Sequence, residues 1–203
     1  MQKEQGVSKA SSHFFAYVSR LRWIKRWGLM RNAIEENVAT HSWEVATLAH
    51  ALALIRNRHF GGNVNADRIA AAALYHDATE VITGDMPTPV KYHSKVMREA
   101  FGDIEHKAEA ELLALLPGDL REDFAPYLQE SQLPAEDREL IKAADRLSAW
   151  LKCQAEVGAG NREFEPAEKQ IRQRLTQEGL PEVTYFMEVF APSYEEPLDN
   201  LLG

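Results

Sequence analysis

Two residues in this chain, His76 and Asp77, stand where they need a partner. They follow Ile69-Ala70-Ala71-Ala72-Ala73-Leu74-Tyr75, an apolar, alanine-rich run that reads as a buried helix. An imidazole and a carboxylate at the end of such a helix cost several kcal/mol each unless something pairs with them. A divalent cation satisfies both. Adjacent side chains on a straight helix point about 100° apart, so the two converge on one ion only if the helix end loosens. Glu80 follows Asp77 by three and His76 by four, and shares their face if the helix continues another turn. A solvated helix residue is the plain alternative for Glu80 taken alone, but acid-base residues cluster at sites.

Two more residues have ligand chemistry in apolar surroundings. His41 opens a helix after Glu35-Glu36-Asn37-Val38-Ala39-Thr40. Asp145 lies inside Leu140-Ile141-Lys142-Ala143-Ala144-Asp145-Arg146-Leu147, where the plain alternative is an ion pair with Lys142 or Arg146. The chain has 7 histidines. Only those beside other nitrogen or oxygen ligands carry a signal.

The elements that must position these residues are helices. Val18, Leu21 and Ile24 recur at threes. Val45, Leu48, Leu52 and Ile55 recur at three, four and three, and Val96, Ala100, Ile104, Ala108 and Leu112 at fours. Leu140, Ala144, Leu147 and Leu151, and then Phe164, Ala167, Ile171 and Leu175, do likewise. These are one-face helical patterns without period-two alternation. Gly61-Gly62-Asn63, Pro117-Gly118 and Gly158-Ala159-Gly160-Asn161 punctuate them, and Pro134-Ala135-Glu136 suits a first turn. Thr83-Gly84-Asp85-Met86-Pro87-Thr88-Pro89 reads as a loop, because two prolines and a glycine interrupt any helix. The expectation is an all-α single domain over residues 12–203, preceded by a flexible polar extension over residues 1–11.

Composition narrows the function. The 203 residues carry a net charge of −8, which disfavours a polynucleotide partner. A small anionic substrate stays compatible, since one pocket or one metal can outweigh the global sign. A lone cysteine, Cys153, forms no intrachain disulfide. No apolar h-region marks the N-terminus, and the longest apolar stretches, such as Ala46 to Ile55, are too short to span a bilayer. A soluble cytoplasmic protein without membrane attachment is the expectation. From Phe14 to Ile34 the chain carries Arg20, Arg22, Lys25, Arg26 and Arg31 and no acid; at helical spacing most of these are surface charges.

Several runs go further together. They are Ser12-His13-Phe14-Phe15-Ala16, Arg26-Trp27, Leu29-Met30-Arg31-Asn32, Glu36-Asn37-Val38, His41-Ser42, Tyr75-His76-Asp77-Ala78-Thr79-Glu80, the loop from Thr83 to Tyr92, and Lys142-Ala143-Ala144-Asp145. An isolated histidine, a His-Asp pair and a distant aspartate in an all-α chain resemble the HD-domain phosphohydrolase superfamily, as a helical bundle. The longer runs are similar to its bacterial 5′-deoxynucleotidase branch, from about Ser12 to Ser193. Met86 looks like a conservative exchange for leucine.

The resemblance implies a metal held by His41, His76, Asp77 and Asp145, with activity using cobalt, manganese or copper. Two histidines with two carboxylates suit a transition ion better than magnesium. It implies that Arg26 grips the phosphate, that Glu80 is the catalytic carboxylate as acid or base, and that Trp27 packs near the sugar and leaves no room for a 2′-hydroxyl. Asp85 would accept a hydrogen bond from the 3′-hydroxyl, with Met86, Pro87 and Thr88 along the same wall. The implied substrates are deoxyribonucleoside 5′-monophosphates of several bases, and the implied assembly is a homodimer. The alternatives are another HD hydrolase, a cyclic-nucleotide phosphodiesterase or a nucleoside triphosphohydrolase, and a non-catalytic metal-binding regulatory module. Binuclear members need more histidines, triphosphate users more basic residues, and a binding module no Glu80. Trp43, Trp150 and Cys153 read as core, and Tyr185 to Phe190 as an apolar end helix.

Overall fold

The structure, a computed structural model, describes residues 11–201. Most of the expected N-terminal extension therefore lies outside the described residues. Eleven α-helices follow one another among them: α1 (Phe14–Val18), α2 (Val38–His59), α3 (Ala66–Ala73), α4 (Glu80–Thr83), α5 (Thr88–Lys91), α6 (Lys95–Ala114), α7 (Arg121–Leu128), α8 (Ala135–Gly158), α9 (Glu165–Glu178), α10 (Pro181–Val189) and α11 (Leu198–Leu201). The one β pairing among the described residues is an isolated antiparallel bridge, Lys25 to Asn37. The chain is all-α, as its periodicity predicts.

The period of each apolar run decides what forms. Val18, Leu21 and Ile24, spaced at threes, do not make an α-helix: α1 tightens into a 3₁₀ turn over Ser19–Trp23, whose period is three. The α2 pattern holds. Val45, Leu48, Leu52 and Ile55 are buried against α3, α8 and α10, each such side chain contributing roughly 1.5–3 kcal/mol. On α8, Leu140, Ala144, Leu147 and Leu151 face the same core. A second apolar cluster joins Phe14, Ala78, Leu112, Leu116 and Leu128 and places α1, α6 and α7 behind the His76-Asp77 segment. Phe14 meets Phe124 edge-on at 5.6 Å between centroids.

Three expectations are corrected. On α6 the strict four-residue spacing drifts about 40° per step. Ala108 and Leu112 are buried, whereas Val96 is 73% exposed and Ile104 47%. Trp43 is 65% exposed rather than core, while Trp150 and Cys153 are buried. The Thr83–Pro89 segment is only partly loop: Pro89 enters the first turn of α5, where its missing N–H has no partner to lose. Among the described residues no helix is long and apolar enough to cross a membrane.

Candidate active site

Asn37 and Thr40 form a capping box at the start of α2, which fixes His41 in its first turn. The α3 helix ends at Ala73, and residues 74–79 run as tight turns. Their amide bonds reach three residues back, from His76 to Ala73 and from Glu80 to Asp77. The loosening that an adjacent ligand pair needs is therefore present, and Ala78, 1% exposed, anchors the turn in the second cluster. Asp145 projects from the middle of α8.

These elements meet at one point. His41 Nε2 lies 3.1 Å from Asp145 Oδ1 and 3.5 Å from Asp77 Oδ2, and His76 Nε2 is 3.1 Å from the same Asp77 oxygen. Ligand atoms of His41, His76 and Asp77 all lie within 4.8 Å of one another. Asp145 is not paired with its helix neighbours: Lys142 joins Glu130 and Arg146 joins Glu178.

The donor set fits a divalent cation. Both Nε2 atoms are buried without a hydrogen-bond partner, which is rare in folded proteins. The Nδ1 of His76 donates to the Ala73 carbonyl at 2.8 Å, which turns Nε2 toward the carboxylates. Burial and the Arg26 charge both oppose protonation of His41, yet the neighbouring Asp145 and Glu36 carboxylates raise its pKa to about 9. A site that draws a proton onto a buried imidazole is short of positive charge. Burial pushes the pKa of Asp77 and of Asp145 upward, but the two histidines outweigh it and hold both carboxyls low.

Arg26 and Trp27 arrive on an irregular segment between α1 and α2. Burial opposes the Arg26 charge, but Asp77, Glu36, Asp145 and Asp85 hold it cationic. Its Nη1 lies 3.3 Å from Asp77 Oδ2. Trp27 has φ of 59°, the one positive value outside glycine among the described residues. For a bulky side chain this is a strained conformation, of the kind that gathers at functional sites. The half-buried indole packs 5.4 Å from the Phe164 ring.

Glu80 opens α4, its Oε2 buried and unpartnered. Burial, with Asp77 and Asp85 adding, pushes its pKa up to about 9. Burial also raises Asp85, against Arg26 and the Trp27 backbone amide. Met86 and Pro87 follow half-buried, and Thr88 is exposed at the start of α5.

Sequence reasoning missed four residues. Glu36 accepts from Trp27 Nε1 at 2.7 Å and from Arg26 Nε at 3.3 Å. Ser148 Oγ sits 3.1 Å from His41 Nδ1 and donates to Glu44 at 2.6 Å. Glu156, fully buried, accepts from the amides of Ala33 and Ile34, from Asn161 and from Lys152. A signal existed for two of them: Glu44 is three residues beyond His41, and Ser148 three beyond Asp145, each on one helix face.

Solved HD-domain phosphohydrolases have this architecture. One from Listeria innocua superposes with a TM-score of 0.78 at 22% identity, over 90% of this chain and 88% of its own. Another, from cyanophage S-2L and bound to dA and one catalytic Zn²⁺ ion, gives 0.64 at 23% identity, over 88% and 96%. The fold is theirs. Sequence narrows the class: the family described as 5′-deoxynucleotidase YfbR-like matches residues 13–194. A 5′-deoxynucleotidase of Photorhabdus laumondii is 53% identical over 94% of this chain and 96% of its own length, and one of Shigella boydii is 50% identical over the same shares. This chain belongs to the YfbR-like 5′-deoxynucleotidase family.

Proposed function

We propose that this chain hydrolyses deoxyribonucleoside 5′-monophosphates to the deoxyribonucleoside and phosphate, accepts several bases and rejects ribonucleotides. The observation that carries the reading is the pair of unpartnered imidazole nitrogens turned onto Asp77 and Asp145, with the Arg26 guanidinium beside them. His41, His76, Asp77 and Asp145 would hold a divalent transition ion, with cobalt, manganese and copper as the candidates. Bound there, the ion supplies Lewis acidity: it offsets phosphate charge and acidifies water.

The chain's own groups do the rest. Arg26 keeps N–H donors free beyond its bonds to Glu36 and Asp77, and a guanidinium fork matches two phosphoryl oxygens. Attack by water on phosphorus breaks the bond to the 5′-oxygen, which needs a proton. Glu80, whose burial favours the protonated form, holds or moves a proton between the attacking water and that oxygen. Trp27 closes the space beside the sugar C2′, Asp85 accepts from the 3′-hydroxyl, and Met86, Pro87 and Thr88 line the same wall. A pocket that reads sugar and phosphate leaves the base free. The lone thiol, Cys153, is buried and unpaired, in keeping with a cytoplasmic setting, and a homodimer is the proposed assembly.

The test is chelator-stripped, cobalt-reloaded protein with dAMP, AMP, dATP and cAMP, following products and phosphate release. Turnover of dAMP far above the other three is expected. Equal turnover of AMP and dAMP would remove the sugar gate, and preference for dATP or cAMP would make this a different HD hydrolase. No turnover would leave a metal-binding module.

A further inference from the structure

Glu36 is the residue immediately before the cap of α2, and its side chain is 11% exposed. One of its oxygens, Oε2, accepts from two donors: the Trp27 indole Nε1 at 2.7 Å and Arg26 Nε at 3.3 Å. The other, Oε1, lies 3.6 Å from His41 Nδ1. Its backbone is tied to the same place, since the Arg26 amide donates to the Glu36 carbonyl at 3.1 Å and Val38 donates to Ile24 at 3.0 Å. A single carboxylate thus touches the phosphate-side arginine, the sugar-side tryptophan and a histidine of the metal cluster.

We infer that Glu36 is a specificity-determining positioning residue: it aims the Trp27 indole at the 2′ position and couples that aim to Arg26. The inference rests on the sugar-gate reading given above. A rigid ring excludes a hydroxyl only if its plane is held. Trp27 occupies the glycine-favoured region at a steric cost, so its backbone alone does not hold the ring, and its Phe164 contact is tilted rather than stacked. Among the described residues the indole N–H bond to the largely buried Glu36 carboxylate is the one directional restraint on the ring. The same oxygen occupies Arg26 Nε, which, with Nη1 also bonded to Asp77, leaves Nη2 and the remaining Nη1 hydrogen for the phosphate. Loss of the carboxylate therefore loosens the sugar gate and the phosphate grip together, whereas a carboxamide keeps an acceptor for the indole and loses the charge that faces Arg26.

The experiment compares parent, Glu36→Gln and Glu36→Ala, each loaded with cobalt, by kcat and KM for dAMP and AMP. It also follows the indole N–H resonances, with Trp27 assigned through Trp27→Phe. In Glu36→Ala the dAMP-to-AMP ratio of kcat/KM should fall about tenfold or more, the size of a lost hydrogen bond to a charged group, and the Trp27 N–H should move upfield without substrate. In Glu36→Gln the dAMP KM should rise while the ratio stays within about threefold of the parent. In the Glu36→Ala, Trp27→Phe double variant the ratio should fall no further than in Trp27→Phe alone, because coupled residues are not additive. A folded Glu36→Ala that keeps the parent ratio, or whose Trp27 resonance does not move, overturns the inference; a merely structural role would lower both substrates alike. If Glu36→Ala does not fold, Glu36→Asp, whose carboxylate falls short of the indole by one methylene, reads the same two quantities. A parent that does not discriminate between the nucleotides refutes the sugar gate instead, and the resonance then judges Glu36 by itself.

Discussion

Replacing Ser148 by alanine removes one hydroxyl from a fully buried point of α8. That hydroxyl lies 3.1 Å from His41 Nδ1 and donates to Glu44 Oε2 at 2.6 Å. If Nε2 faces the metal, Nδ1–H must donate, and Ser148 and Glu44 continue the chain in one direction. Ser148→Ala breaks it, frees the ring to adopt the wrong tautomer and leaves the Glu44 carboxylate without its partner. Removing such a supporting group lowers metal affinity by about 10–100-fold, or roughly 1.4–2.7 kcal/mol. The lower end applies, because Glu36 Oε1 remains 3.6 Å from the same nitrogen. Stability should fall by about 1 kcal/mol, since half-buried Glu44 can turn to solvent while the buried Nδ1 keeps Glu36 nearby. The assay is competition for cobalt against a chromophoric chelator, with thermal melting of the metal-free protein as control. Affinity within twofold of the parent, in a variant that melts normally, refutes the relay and the assignment of Nε2 to the metal.

Glu80→Gln should lower kcat by about 10²–10⁴-fold while cobalt still binds, measured by single-turnover phosphate release; full activity would remove Glu80 from proton transfer. Trp27→Ala should admit AMP, with kcat/KM for AMP rising toward that for dAMP. Continued rejection would place sugar reading elsewhere. Glu156→Gln should lower unfolding free energy by about 3 kcal/mol, because Lys152 is then left buried without its counter-charge, and should raise KM through the loosened 24–37 segment. Burial pushes the Glu156 pKa up, but Lys152, Asn161 and two amides outweigh it and hold it at about 2 against an ordinary 4.5. Its ionised form stabilises the fold above the unfolded value, and that contribution fades as pH falls from about 4.5 toward about 2. Urea melts of parent and variant should therefore converge over that window; a constant gap would show that the charge does not matter.

What the sequence made legible follows from how each residue is held. His41, His76, Asp77 and Asp145, the proposed ligands, stand out in the sequence because apolar helices carry or flank them, and a ligand-type residue in such a setting needs a partner. The substrate side could not be found this way. Trp27 adopts a positive φ with no glycine or asparagine to announce it, and Glu36 is one acid among 31 acidic residues until the fold brings it back onto Arg26 and Trp27. The failures on α6 and at Trp43 have another cause: apolar spacing reports one face of a helix and does not say whether anything packs on it. On α8 the useful periodicity was polar. Asp145, Ser148, Lys152 and Glu156, at intervals of three, four and four, run down one side of the helix, and the last three are buried. Asp145 meets His41, Ser148 supports it, and Lys152 and Glu156 hold the backbone of Ile34 and Ala33. One helix face thus fixes the proposed metal cluster at one end and the segment bearing Arg26 and Trp27 at the other. Buried polar residues at helical spacing carry the same information as apolar ones: they mark a face that another part of the chain must satisfy.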